Sequence, residues 1–89
     1  MISHTTKEFW KLFDALPDPI RRQARQAFRR FQDDTNHTSL RFKQVHETKP
    51  IFSARVNRDY RVLGVRNGDV MVWFWIGSHA EYDKLLDRL

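Results

Sequence analysis

The chain has 89 residues, 16 lysines and arginines against 11 aspartates and glutamates, and no cysteine. That length fits one domain, the absence of thiols excludes disulfides and thiolate metal sites, and no run approaches the ~20 apolar residues of a membrane helix. The net charge of +5, with 11 of the 16 basic residues arginine, suits a polyanionic partner such as nucleic acid, an acidic protein or an anionic membrane surface. It suits an ordinary solvated basic surface equally well. Met1 to Thr6 has no apolar core of a secretory signal, so a cytoplasmic protein is expected.

Thr5, with Glu8 three residues on, has the form of a capping box and opens a first helix. Phe9, Leu12, Phe13 and Leu16 follow at helical spacing, and Pro17 ends the helix. Asp18-Pro19 starts a second helix, with Asp18 as N-cap and Pro19 in the first turn, where its missing N–H costs nothing. Ile20, Ala24, Ala27, Phe28 and Phe31 make its buried stripe, and Arg21, Arg22, Arg25, Arg29 and Arg30 cover the rest. Those arginines read either as a solvated helix face or as a surface for phosphate or an acidic partner.

A polar loop over residues 33–39 leads to a strand from Leu40 to His46, and Glu47-Thr48-Lys49-Pro50 turns the chain back. From Phe52 the residues alternate. Phe52, Ala54, Val56, Tyr60 and Val62 share one parity, and Ser53, Arg55, Asn57, Asp59 and Arg61 share the other. Successive strand side chains point to opposite faces, so one face is apolar and the other carries Arg55 and Arg61. Asn67-Gly68 signals a tight hairpin. Val70 to Ile76 is apolar at both parities, as in a strand covered on both faces. Ser78 and Glu81 repeat the capping-box pattern, and Tyr82, Leu85, Leu86 and Leu89 form the stripe of a short last helix.

The predicted order is helix, helix, three strands, helix. It describes a single α+β domain over residues 1–89, a helical hairpin packed on a small antiparallel sheet with a short C-terminal helix. With the apolar parity facing the helices, the other face gathers Arg41, Lys43, Arg55 and Arg61. Such a surface suits a phosphate backbone. His79 stands at the start of the last helix, beside those cations, and is either a proton-transfer residue or a polar residue at a helix start. Tyr82, one turn on, either meets substrate or packs in the core. His46 and Glu47 end the first strand, where they form a second acid/base pair or simply a polar strand end. His4, His37, His46 and His79 are scattered and no glycine-rich phosphate loop is present, so neither a metal nor a cofactor is expected.

Together and in order, the elements Ser53-Ala54-Arg55-Val56, Tyr60-Arg61 and Ile76-Gly77-Ser78-His79 resemble the RelE/ParE superfamily of bacterial toxins from type II toxin–antitoxin systems. The resemblance covers nearly the whole chain and implies a RelE-like fold. It implies either of two activities. RelE-like members cut mRNA in the ribosomal A site without metal, the ribose 2′-hydroxyl attacking the adjacent phosphate to leave a 2′,3′-cyclic phosphate. ParE-like members inhibit DNA gyrase without catalysis. By the resemblance Arg61 holds the scissile phosphate, Arg55 assists, His79 moves the proton, Tyr82 orients substrate and Lys43 is a looser match to the family's strand lysines; Arg41, on the basic strand face, and His46, at the strand end, are further substrate-binding candidates read from the residues. One lysine stands on that strand, where the RelE pattern has several. The N-terminal strand of many members is barely visible in Ile2-Ser3-His4, so the sheet is expected either to lack that edge or to begin with a very short one. A cognate antitoxin is implied, with acidic residues opposite Arg55 and Arg61.

Overall fold

In the computed structural model, which describes residues 1–89, eight elements follow in order. They are β1 (Ile2–Thr5), α1 (Lys7–Asp14), α2 (Asp18–Asp33), β2 (Lys43–Gln44), β3 (Ile51–Arg55), β4 (Tyr60–Asn67), β5 (Val70–Ser78) and α3 (His79–Leu86). The α+β class with a helical hairpin and a short last helix is as expected, but the sheet has five strands in the order β1-β5-β4-β3-β2. It is also mixed rather than antiparallel, because β1 runs parallel to β5.

Of the two alternatives for the N-terminal edge, the short strand is the one present, and two differences from the sequence reading have local causes. Ile2 N–H donates to the Asp69 carbonyl, Thr6 N–H to the Trp73 carbonyl, and the Trp73 indole to Ser3 Oγ. The long strand from Phe52 is two strands, because Asn57 folds the chain back: its Oδ1 accepts the N–H groups of Asp59 and Tyr60 at 2.8 and 2.9 Å. The strand expected over Leu40–His46 shrinks to Lys43–Gln44. Leu40 ends a 3₁₀ turn, and Arg41 takes a left-handed φ of 46° that keeps the chain out of the sheet until Phe42 has passed.

Smaller shifts occur at turns and caps. The β4–β5 loop is Gly68-Asp69, one residue later than expected, and only Gly68 has positive φ there. Thr6 rather than Thr5 caps α1, accepting from Phe9 N–H, while Thr5 Oγ1 takes the Trp10 indole hydrogen. Pro17 rather than Asp18 is the residue before α2, and Asp18 sits in the first turn, where its charge suits the helix dipole. The Ser78–Glu81 capping box forms as read.

The sheet packs on both faces. The hairpin face holds Phe9, Phe13, Ala27, Phe31, Leu40, Ala54, Met71, Trp73 and Ile76. Phe28, expected in the α2 stripe, is 44% exposed. On the opposite face α3 presses Tyr82 onto Ile51 and Leu63, with Trp75, Leu85, Leu86 and Leu89 packed around them. A β-bulge makes this two-sided burial possible. Leu63 pairs with Trp75 and Gly64 with Trp73, leaving Phe74 as the extra residue. The extra residue reverses the parity of β5, so Trp75 and Gly77 turn to the α3 face while Trp73 and Ile76 serve the hairpin. Gly77 is required there, since a Cβ would lie 2.5 Å from the Trp75 ring.

Candidate active site

Arg55 ends β3, and Arg61, near the start of β4, is its cross-strand partner. Arg61 in turn pairs with Gly77 on β5. Paired residues share a face, so both arginines lie on the α3 side, in register with Gly77, over which the Trp75 ring lies. Lys43 pairs with Ser53, which pairs with Leu63, and so belongs to the same face. The face that the alternation assigned to these cations is therefore the one they occupy.

The β3–β4 turn is folded onto Arg61. Its Nη1 donates to the carbonyls of Asn57 (2.7 Å), Tyr60 (3.0 Å) and Arg58 (3.3 Å). The turn is itself tied to α2 by a hydrogen bond from Asn57 Nδ2 to Gln23 Oε1. Carbonyl dipoles thus aim the guanidinium without neutralising it. The chain's one ion pair between side chains of fixed charge is Arg21–Asp18; His79 Nδ1 also meets Asp83 Oδ2. Arg41, Lys43, Arg55 and Arg61 belong to neither.

The electrostatics reflect that crowding. Burial, then the Arg55 guanidinium, then Arg41 hold Arg61 below the ordinary arginine range, with Tyr82 and Asp59 pulling it back. Arg55 and Arg41 therefore lie close enough to Arg61 to repel it. An anion placed among these like charges would relieve their repulsion, so the patch suits one. Like charges directly across a ladder cost ~0.2–1 kcal/mol. Replacing Arg55 with glutamine is accordingly expected to raise the melting temperature by roughly 2–4 °C while weakening the binding of a polyanion such as heparin. Thermal melts paired with a fluorescence anisotropy titration check both halves.

His79 is the first residue of α3, immediately after Ser78, which pairs with Tyr60. Its backbone N–H donates to the Asp59 carbonyl at 2.7 Å, tying the helix start to the turn that holds Arg61. Its imidazole Nδ1 lies 3.1 Å from Asp83 Oδ2, and the side chain is 47% exposed. The Tyr82 ring lies 5.5 Å from the imidazole.

Tyr82 is only 7% exposed, and its hydroxyl donates to Ser53 Oγ at 3.3 Å. Its surroundings are those of a core residue, with one edge toward His79 and Arg61. His46 is engaged at both ring nitrogens: Nδ1 accepts the N–H groups of Thr48 and Lys49, and Nε2 lies 2.8 Å from the Leu89 carbonyl. It fastens the β2–β3 turn to the end of the chain. The structure thus brings Arg61, Arg55 and Arg41 together, ties the His79 backbone to the turn that holds Arg61, adds Lys43 at the edge of the same face, and leaves His46 as a clasp.

Two residues of this site escaped the sequence reading. Asn57 shapes the turn that holds Arg61, and its signal was an Asn-Arg-Asp cluster inside an otherwise alternating run. Asp83 meets His79, and its signal was the four-residue spacing from His79 on a helix. No three histidine, aspartate or glutamate side chains gather as a metal-holding group.

A second surface lies on the other side of the sheet. The hairpin leaves a cleft of about 540 Å³ lined largely by apolar residues, among them Trp10, Phe28 and Val56, with Arg25, Arg29 and Arg55.

Comparison with known proteins places this geometry. The architecture is similar to that of RelE in the RelB–RelE antitoxin–toxin complex of Methanococcus jannaschii, with a TM-score of 0.72 and 18% identity over 92% of this chain and 96% of that one. It is similar to YafQ of Escherichia coli, with a TM-score of 0.72 and 10% identity over 90% and 94% of the two chains. The archaeal RelE–RelB complex of Pyrococcus horikoshii gives a TM-score of 0.68 and 17% identity over 86% and 92%. No curated protein matches the sequence. A family model described as the ParE-like toxin domain matches residues 18–84, from the start of α2 into α3, and the chain belongs to that family.

Proposed function

We propose that this chain is the toxin of a toxin–antitoxin pair and that it acts as a metal-independent endoribonuclease on ribosome-bound mRNA. The observation that carries the reading is the placement of His79, tied through Asp59 to the turn that aims the unpaired Arg61.

The steps follow from the residues. Arg61, with Arg55 and Arg41, holds the scissile phosphate and stabilises the negative charge that grows on its oxygens. His79 takes the proton from the adjacent 2′-hydroxyl, and the 2′-oxygen forms its bond to phosphorus. The P–O5′ bond breaks, and the leaving oxygen takes a proton from water, to which the exposed Arg41 and Lys43 leave the site open. The products are a 2′,3′-cyclic phosphate and a 5′-hydroxyl. Tyr82, being buried, supports His79 from below rather than stacking on a base.

The alternative is gyrase inhibition without catalysis, the activity implied by the ParE-like branch of the resemblance. Pulse labelling of protein synthesis and a plasmid supercoiling assay after expression separate the two. Loss of translation with supercoiling intact supports the nuclease; blocked supercoiling with translation intact supports the alternative.

The RelE neighbours are described as complexes with RelB antitoxins. For this chain the fitting antitoxin segment is acidic. Its carboxylates would face Arg55 and Arg61 on the α3 side of the sheet. Affinity is then expected to fall ~10-fold or more as salt screens the pairs. Calorimetric titration with the cognate antitoxin at low and high salt measures it, and a salt-independent affinity would contradict it.

A further inference from the structure

The His79–Asp83 pair has no part in holding the fold. Both side chains are largely in water, His79 at 47% and Asp83 at 62% exposure, and an exposed helix pair of this kind stabilises little. Its geometry is nonetheless well defined. The backbone of His79 is fixed by the Asp59 carbonyl on one side and by the Ser78–Glu81 capping box on the other. The ring lies beside Tyr82, tilted 56° to it. Nδ1 meets Asp83 Oδ2 at 3.1 Å and is the ring nitrogen of His79 with a protein partner.

An ionised carboxylate only accepts hydrogen bonds. Beside it, a neutral imidazole keeps its hydrogen on Nδ1, and the lone pair is left on Nε2. Which ring nitrogen carries the proton is set by the hydrogen bond the other one makes. We infer that Asp83 is a positioning residue that holds His79 in the Nδ1–H tautomer and so presents Nε2 as the proton acceptor. The inference rests on the nuclease reading for its role in cleavage, but the tautomer itself does not depend on any activity. It also accounts for how one histidine serves as base on a face otherwise made of arginines. A lysine or arginine there would be protonated, whereas a neutral imidazole oriented by a carboxylate has a lone pair to offer.

The test uses full-length ¹⁵N-labelled protein and the variants Asp83→Ala, Asp83→Asn and Asp83→Glu. Long-range ¹H–¹⁵N correlation spectra above pH 8 read the tautomer of the neutral ring directly. Steady-state cleavage of ribosome-bound mRNA in excess over the protein gives kcat and KM. Asp83 is exposed, so the amide spectrum of each variant is expected to match the wild type away from α3. The expected result is an Nδ1–H ring in the wild type that reverts to Nε2–H in Asp83→Ala. Outer partners of this kind matter by 10–100-fold, so kcat is expected to fall by ~10–100-fold in Asp83→Ala with KM unchanged. Asp83→Glu is expected to restore part of the rate, and Asp83→Asn to fall short because its amide can turn and donate. An Nε2–H ring in the wild type, or an Asp83→Ala variant with unchanged spectrum or rate, overturns the inference. Wild-type protein that leaves mRNA intact while His79 keeps the Nδ1–H form contradicts the nuclease reading and leaves the orienting role of Asp83 standing.

Discussion

Arg61→Ala is expected to lower the single-turnover rate of mRNA cleavage by ~10²–10³, the usual effect of removing one preorganised donor to transition-state charge. The substitution has a second, separable consequence. The Asn57, Arg58 and Tyr60 carbonyls lose their shared donor, which is expected to lower stability by ~1–2 kcal/mol. Arg61→Lys separates the two effects. It keeps the positive charge but loses the planar fork that reaches turn carbonyls and phosphate together. Its rate should fall between wild type and alanine. Rates measured well below both melting temperatures keep the comparison to folded protein. An Arg61→Ala rate within about threefold of wild type would remove Arg61 from the site.

His79→Ala is expected to lower the same rate by ~10²–10⁴, the range supplied by a positioned proton acceptor. Here the fold should be almost untouched. The bond to the Asp59 carbonyl comes from the backbone N–H, and the cap of α3 comes from Ser78 and Glu81, so alanine preserves both. A stability change below ~0.5 kcal/mol is expected, as for a surface substitution that removes no cap or core contact. A thermal melt alongside the kinetics shows whether the lost rate is chemical. A large drop in melting temperature would mean that His79 supports α3 instead.

The facial assignment of the cations was legible in the sequence even where the strands were not. Phe52 to Val62 reads as one strand, yet it is a hairpin folded at Asn57. Ala54 pairs with Val62 and Arg55 with Arg61, and such pairing preserves odd and even parity across the turn. Alternation therefore sorted the faces correctly despite the wrong strand count. The bulge at Phe74 is different in kind. Nothing in a continuous apolar run marks where parity reverses, because Trp75 and Ile76 suit either face. The reversal follows from what packs on each side, α3 on one and the hairpin on the other.

The N-terminal strand was hard to see for a related reason. Ile2-Ser3-His4-Thr5 has no apolar alternation of its own, and only its parallel partner β5 makes it a strand. Arg41 shows the limit of local propensity. A non-glycine residue at φ 46° is uncommon, and the polar segment around it read as the start of a strand. Capping at Ser78 was legible because it is local, two side chains exchanging bonds with backbone three residues away. Asp83 was visible in principle at helical spacing from His79. It was passed over because the candidate chemistry lay in the cations rather than in the carboxylates.

The central claim is that His79, beside the Arg61 cluster, cuts mRNA. Cell-free protein synthesis with wild type and His79→Ala side by side, followed by primer extension on the mRNA, tests it most directly. Translation arrest with discrete cuts at codon positions, absent from the variant, is the predicted result. Undisturbed translation, or arrest with intact mRNA, would contradict it.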